Sequence, residues 1–186
     1  GVANFPNGSV YEGSFAKGKP EGQGKITFAD GGTYSGSWAD GKITGSGIAT
    51  YANGSIYEGA FRNAMHHGRG VMTNPDGYRY EGDWVDGVKE GTAEMAYPDG
   101  AIYKGGIVRG AREGRGVLEM SEGLIFDGIW KDGEITGLGK LIQPNGDIYE
   151  GMLVAGRRQG PGRVTYANGD IYDGNFDADQ RQGLGQ

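Results

Sequence analysis

An all-β fold of repeated β-hairpins is what this sequence predicts. Three observations carry it: one aromatic residue recurs every 23 positions, side chains alternate with period 2 on both sides of a turn inside each period, and Gly, Asn, Asp and Pro mark the same points of every period. The aromatic column runs through Tyr11, Tyr34, Tyr57, Tyr80, Tyr103, Phe126, Tyr149 and Tyr172 without insertion or deletion, so eight periods fill almost all 186 residues. No stretch has helical periodicity.

In the first period, one strand alternates through Tyr11, Gly13 and Phe15 and a second through Gly22, Gly24, Ile26 and Phe28. Between them lies a polar, Gly-containing segment, Lys17 to Glu21, read as the hairpin tip. A second turn runs from Ala29 through Asp30 and Gly31 to Gly32. Later periods repeat the scheme, with Tyr34, Trp38 and Tyr51, then Tyr57 and Phe61, then Tyr80, Trp84 and Tyr97 in the same places. The second turn reads Pro-Asn-Gly, Ala-Asn-Gly or Pro-Asp-Gly at six of its occurrences, the chemistry of a positive φ.

Glycine columns follow the same period. A Gly stands two residues after each aromatic, and a Gly-x-Gly follows at Gly22/Gly24, Gly45/Gly47, Gly68/Gly70, Gly114/Gly116, Gly137/Gly139, Gly160/Gly162 and Gly183/Gly185, broken only at Ala93. With the two turn columns these account for nearly all 40 glycines, so the excess is repeated backbone geometry and not low complexity.

Composition excludes several functions. With 18 Lys and Arg against 24 Asp and Glu the net charge is −6, evenly spread, which speaks against a nucleic-acid partner. No apolar stretch approaches the roughly 18 residues of a helical membrane span, so the chain reads as soluble. The absence of Cys removes disulfides, thiolate metal sites and a Cys nucleophile, and fits a reducing and an oxidising compartment equally, so the location stays open, with cytoplasm and membrane periphery among the candidates.

Tyr-Glu-Gly with an aromatic two residues later, then Gly-x-Gly, at a 23-residue period resembles the MORN (membrane occupation and recognition nexus) repeat over residues 1 to 186. The resemblance implies an elongated, single-layer, twisted antiparallel sheet with one hairpin per repeat, no cofactor and no catalytic residues of its own. It also implies roles as scaffold, tether or peptide-binding accessory module, with a phospholipid role in early interpretations. Phe126 and Asp127 depart from Tyr-Glu, Asn74, Met120 and Gln143 from the strand-end aromatic, and Ala64 and Asp179 from the loop glycines. The whole chain is expected to be one repeat array. Because it starts at Gly1 and not Met, a fragment or processed form of a longer chain is expected.

The alternation sorts the columns into two faces. The apolar face carries the aromatics, read first as a structural spine in which the glycine opposite or beside each ring lets it lie flat on the backbone. With no second layer in the sequence to cover that face, a groove lined by Phe15, Trp38, Phe61, Trp84, Trp130 and Phe176 is the expected site for a protein or peptide partner. A homodimer through this face or through strand edges is an alternative occupant. The other face, with Glu12, Glu58, Glu81, Asp127, Glu150 and Asp173, is expected to be solvated and mostly acidic.

The tip column becomes basic along the chain. A solvated charge ladder is the first reading of Lys89, Arg112, Arg157, Arg158 and Arg181, and a strip for acidic peptide or anionic lipid the second. Adjacent His66 and His67 offer no identifiable third metal ligand, Gly-x-Gly is not followed by the helix a phosphate site needs, and the repeated carboxylates lack the unlike surroundings of a catalytic pair. The sequence therefore reads as a non-catalytic interaction scaffold. A membrane-surface tether through the basic column and an accessory domain of an enzyme encoded outside this sequence are the alternatives.

Overall fold

The computed structural model describes residues 1–183 and Gly185, and no helix occurs among them. The chain forms two compact units, Gly1–Gly91 and Thr92–Gln186. The first holds β1 (Val2–Asn4), β2 (Val10–Ala16), β3 (Lys19–Thr27), β4 (Thr33–Ala39), β5 (Lys42–Thr50), β6 (Ile56–Arg62), β7 (Met65–Thr73) and β8 (Arg79–Val85). β9 (Val88–Ala96) runs across the division. The second holds β10 (Ile102–Val108), β11 (Ala111–Glu119), β12 (Ile125–Lys131), β13 (Glu134–Ile142), β14 (Ile148–Val154), β15 (Arg157–Thr165), β16 (Ile171–Asp177) and β17 (Gln180–Gln182). The fold is all-β, and within each unit every strand pairs antiparallel with its neighbours in sequence.

The register places glycine opposite glycine. Gly13 faces Gly24, Gly24 faces Gly36, Gly36 faces Gly47, and Gly47, Gly59, Gly70 and Gly82 continue the row across the first unit. The second unit repeats it from Gly105 through Gly116, Gly128, Gly139, Gly151 and Gly162 to Gly174. The bare row makes a seat for tyrosine. A Cβ on Gly70 would run into the ring and hydroxyl of Tyr57, and one on Gly24, Gly47, Gly116 or Gly162 into Tyr11, Tyr34, Tyr103 or Tyr149. These tyrosines are almost wholly buried. Each hydroxyl is satisfied by donating to the carbonyl three residues on: Tyr11 to Ser14 at 2.9 Å, Tyr57 to Ala60 at 2.9 Å, Tyr80 to Asp83 at 2.8 Å, Tyr149 to Met152 at 2.7 Å.

The two glycines of each Gly-x-Gly have different tasks. The second is the seat; the first has a left-handed φ, 76° at Gly22 and 66° at Gly68, where a bulge sets three residues opposite one. The hairpin tip differs from the expected segment Lys17 to Glu21. Only Lys17 and Gly18 turn, with φ of 50° and 76°, a two-residue turn whose twist matches the strands, and β3 has begun by Lys19. Residues placed at the tip by sequence, Pro20 and Glu21 with their equivalents, therefore lie in strands. At the opposite end, Asn53 Oδ1 accepts from the Ser55 amide at 2.9 Å while Gly54 takes φ 85°, as sequence predicts for this turn.

Phe126 breaks the pattern for a physical reason. It has no hydroxyl to anchor on a carbonyl, and its place over Gly128 and Gly139 is taken by the side-chain ends of Ile135 and Leu153. Its ring is half-buried beside Gly156.

Two substitutions test the seat. A valine at Gly59 would meet the Gly70 backbone and the Tyr57 hydroxyl, so Gly59→Val should lower stability by about 3 kcal/mol; an unchanged melting curve refutes the arrangement. Phe126→Tyr should raise the melting temperature by restoring one buried hydrogen bond, worth about 1 kcal/mol, and a fall would show that Ile135 and Leu153 hold the place more tightly than a tyrosine can.

Candidate partner-binding face

The rings expected to line a groove are the core of their units. Trp38, Phe61 and Trp84 in the first unit and Trp130 and Phe176 in the second are less than a tenth exposed, while Phe15 at the start of the chain is 38% exposed. They are buried by one another and by the tyrosines in edge-to-face contact. Tyr34 meets Trp38 and Phe61 at 5.7 and 4.9 Å, Tyr57 meets Phe61 and Trp84 at 5.0 and 5.4 Å, and in the second unit Tyr149 and Tyr172 flank Phe176 at 5.2 and 5.6 Å. The indole N–H of Trp38 donates to the Gly24 carbonyl at 3.1 Å and that of Trp130 to the Gly116 carbonyl at 2.9 Å. The equivalent N–H of Trp84 is buried without a partner.

What this face presents is a second column laid over the rings. Its members are Pro20, Ile43, His66 and Lys89 in the first unit and Arg112, Ile135, Arg158 and Arg181 in the second; Pro20, Ile43, His66, Ile135 and Arg181 face Phe15, Trp38, Phe61, Trp130 and Phe176, while Arg112 and Arg158 face Ile107 and Leu153. Pro20, Ile43 and Ile135 are buried, and the other five members reach the surface. Lys89 Nζ stands 4.6 Å from the Tyr78 ring centroid and 4.8 Å from that of Tyr80. Arg112 lies 4.3 Å above Trp130, Arg158 5.1 Å above Phe176 and Arg181 4.4 Å above Tyr172. The basic residues assigned by sequence to the hairpin tips are thus brought onto the aromatic face, except Arg157, which stands one residue off the column and is exposed at the start of β15. The available signal was the alternation Gly22, Gly24, Ile26, Phe28: carried back one step it reaches Pro20 and its equivalents.

The next residue does a separate job in the repeats with Glu21, His67, Glu113 and Gln159. Glu21 Oε2 accepts from the Asp40 amide at 2.7 Å and Glu113 Oε2 from the Asp132 amide at 2.9 Å, each capping the turn of the following hairpin. Sequence reasoning did not identify this role. His67 Nδ1 accepts from the Asp86 amide at 3.3 Å in the same place, while His66 stacks on Tyr57 at 3.7 Å with its Nε2 2.5 Å from the Tyr51 hydroxyl. The adjacent histidines are engaged with different partners.

Burial sets the electrostatics of this face. Loss of water around the imidazole lowers the His66 pKa to about 4, so the ring is neutral near pH 7 and can accept from Tyr51. Desolvation likewise lowers the Lys89 pKa and pushes the phenols of Tyr57 and Tyr103 up to about 12. A cleft of about 450 Å³ opens in the first unit between Tyr51, Ser55, His66, Met72, Trp84 and Lys89. In the second unit the displaced Phe126 borders clefts of about 280 Å³ with Arg112, Met120 and Trp130, and about 490 Å³ with Leu124, Pro144 and Arg158.

The opposite face is not the acidic surface expected. Its carboxylates are matched across strands by Arg115 with Asp127, Lys140 with Glu150 and Arg163 with Asp173, all exposed pairs worth little each. Ile48, Ile129 and Leu138 stand exposed among them, Leu138 most of all.

The MORN repeat family model matches residues 11–33, 34–56, 57–77, 80–102, 103–124, 126–148, 149–171 and 172–186. No curated protein matches the chain. Among solved structures, the G-box domain of the microcephaly protein CPAP is similar at 17% identity and a TM-score of 0.61, with all of this chain and 96% of that one covered. The TCP10 domain of Danio rerio CPAP, in complex with a peptide of Danio rerio STIL, is similar at 18% identity and a TM-score of 0.56, covering 94% of this chain and 77% of that one. At these identities the likeness is one of fold.

The His66 environment gives a pH test. Its pKa is about 4 when folded and 6.5 ordinarily, so the unfolded chain takes up the proton first and stability falls as pH drops from 6.5 through 4. Melting curves across that window should show the fall, and His66→Ile, the residue of the same column at Ile43 and Ile135, should make it shallower. Equal slopes in both proteins would refute the assignment.

Proposed function

The chain belongs to the MORN repeat family, and from that membership and the ring-backed face we propose that it is a non-catalytic scaffold that binds an extended or helical peptide of a protein partner. One observation carries this reading: on the face built over Phe15, Trp38, Phe61 and Trp84 in one unit and Trp130 and Phe176 in the other, half-buried cations and open clefts lie against fixed rings, and within each unit strands contact their sequence neighbours and no second layer. Such a face offers apolar area, ring planes and hydrogen-bond donors together, the mixture that protein interfaces use at their centres. A MORN-like fold carrying a STIL peptide in the Danio rerio CPAP domain supports the same class of partner.

A membrane tether through Lys89, Arg112, Arg157, Arg158 and Arg181 stands second. Four of these five cations rest on rings, Arg158 is also paired with Asp179 at 3.2 Å, and the net charge of −6 opposes an anionic surface. An accessory role beside an enzyme domain outside this sequence is compatible with the first reading.

Selection from a displayed library of random peptides tests it. Replacing the buried rings would unfold the chain, so the informative variants are at the surface: Tyr51→Ala and Arg112→Ala should each weaken peptides selected on their own unit by about tenfold, while Leu138→Ser on the opposite face should change nothing. A selection that yields no peptide, or peptides lost only in Leu138→Ser, overturns the proposal.

A further inference from the structure

We propose that the cleft of the first unit between Tyr51, His66, Trp84 and Lys89 is a receptor for a carboxylate side chain, an Asp or Glu of the partner peptide, held by the Lys89 ammonium and the Trp84 indole N–H. This rests on the peptide-binding reading and adds the chemistry of the bound residue.

The two donors carry the argument because, among the described residues, the Trp84 N–H lacks the carbonyl its equivalents have and the Lys89 ammonium lacks the carboxylate that Arg158 has. Trp38 and Trp130 donate to the carbonyls of Gly24 and Gly116, whereas the Trp84 N–H is buried without an acceptor. A buried donor left unmade is costly, and a site that keeps one is complete only when an acceptor arrives. Lys89, in the same cleft, has three N–H donors and places one on the Tyr78 hydroxyl at 3.0 Å; among the described residues it is within ion-pair distance of no carboxylate. Arg158, its counterpart in the second unit, is paired with Asp179. The Lys89 ammonium is instead held above Tyr78, Tyr80 and Trp84, where burial disfavours its charge.

An anion entering this cleft relieves both conditions. A carboxylate draws the ammonium off the rings on its flexible stem and gains the indole N–H as a second donor, with the Tyr51 and His66 rings as walls. His66 is neutral near pH 7 and takes its hydrogen bond from Tyr51, so the ammonium is the charge that selects. An amide of equal shape lacks the charge that Lys89 seeks.

The three tryptophans make the test direct, since each indole N–H gives its own signal in a nitrogen–proton correlation spectrum. The probes are two synthetic peptides, acetyl-(Glu-Gly)6-amide and acetyl-(Gln-Gly)6-amide. The glutamate peptide should shift the Trp84 indole signal and the glutamine peptide should not. Lys89→Gln should weaken the response about tenfold, the loss of one charge-assisted hydrogen bond, and Lys89→Arg should retain it. Equal shifts from both peptides, no Trp84 shift at millimolar peptide, or a Lys89→Gln protein that responds fully overturns the proposal. A glutamate peptide that moves the Trp130 signal alone removes this site and leaves the general peptide-binding reading standing; failure of the library selection removes that reading itself.

Discussion

A tyrosine ring lying flat on two facing glycines is the contact on which the rest of this structure depends. It solves a problem peculiar to a sheet with no second layer: a core needs two sides, and here the backbone is one of them. The ring takes the volume that side chains of an opposing sheet would fill in a sandwich, and its hydroxyl closes on a carbonyl of its own strand. Because rings such as Tyr11, Tyr34 and Tyr57 are also met edge-on by rings of their own and the next hairpin, burial is shared between neighbouring repeats. The facing-glycine row follows from this contact, and the other glycine columns from left-handed turns and bulges, not from flexibility.

The same contact determines what the outer surface can be. With the rings consumed as core, the outer layer of this face is made by whichever residue stands over them, and that position varies from the buried Pro20 and Ile43 to the half-buried His66, Lys89, Arg112 and Arg158. The scaffold is thus uniform beneath and individual above. Cations suit the place because a ring face attracts them and a long aliphatic stem covers apolar area while doing so. The chemistry of this surface is set by the order of these side chains, one per hairpin.

Much of this was legible in the sequence. The period, the two strands, the Asn-Gly and Asp-Gly turns and the ring-over-glycine packing all follow from residue types at fixed spacing, since each repeats eight times with small variation. The hairpin tip was not legible, because Lys17 and Gly18 turn alone and polar Glu21 continues as strand to reach the Asp40 amide. That difference of three residues moved Lys89, Arg112 and Arg158 from a solvated tip onto the rings. That Trp38 and Trp84 form a packed spine was legible, but what covers them was not, because an alternating pattern shows which face a residue is on and not what lies on top of it. Phe126 was visible as a departure, but that its ring would yield its seat to Ile135 and Leu153 depends on three-dimensional competition that no column displays.

The turn caps give the molecule a direction. The amide of Gly41 donates to the Pro20 carbonyl and that of Asp40 to Glu21, and the second unit repeats this where Gly133 and Asp132 reach back to Arg112 and Glu113. Each of these hairpin tips is therefore tied down by the hairpin made before it. On a ribosome, where the earlier hairpin always emerges first, every newcomer finds its anchor already waiting, and the order of synthesis becomes the order of assembly.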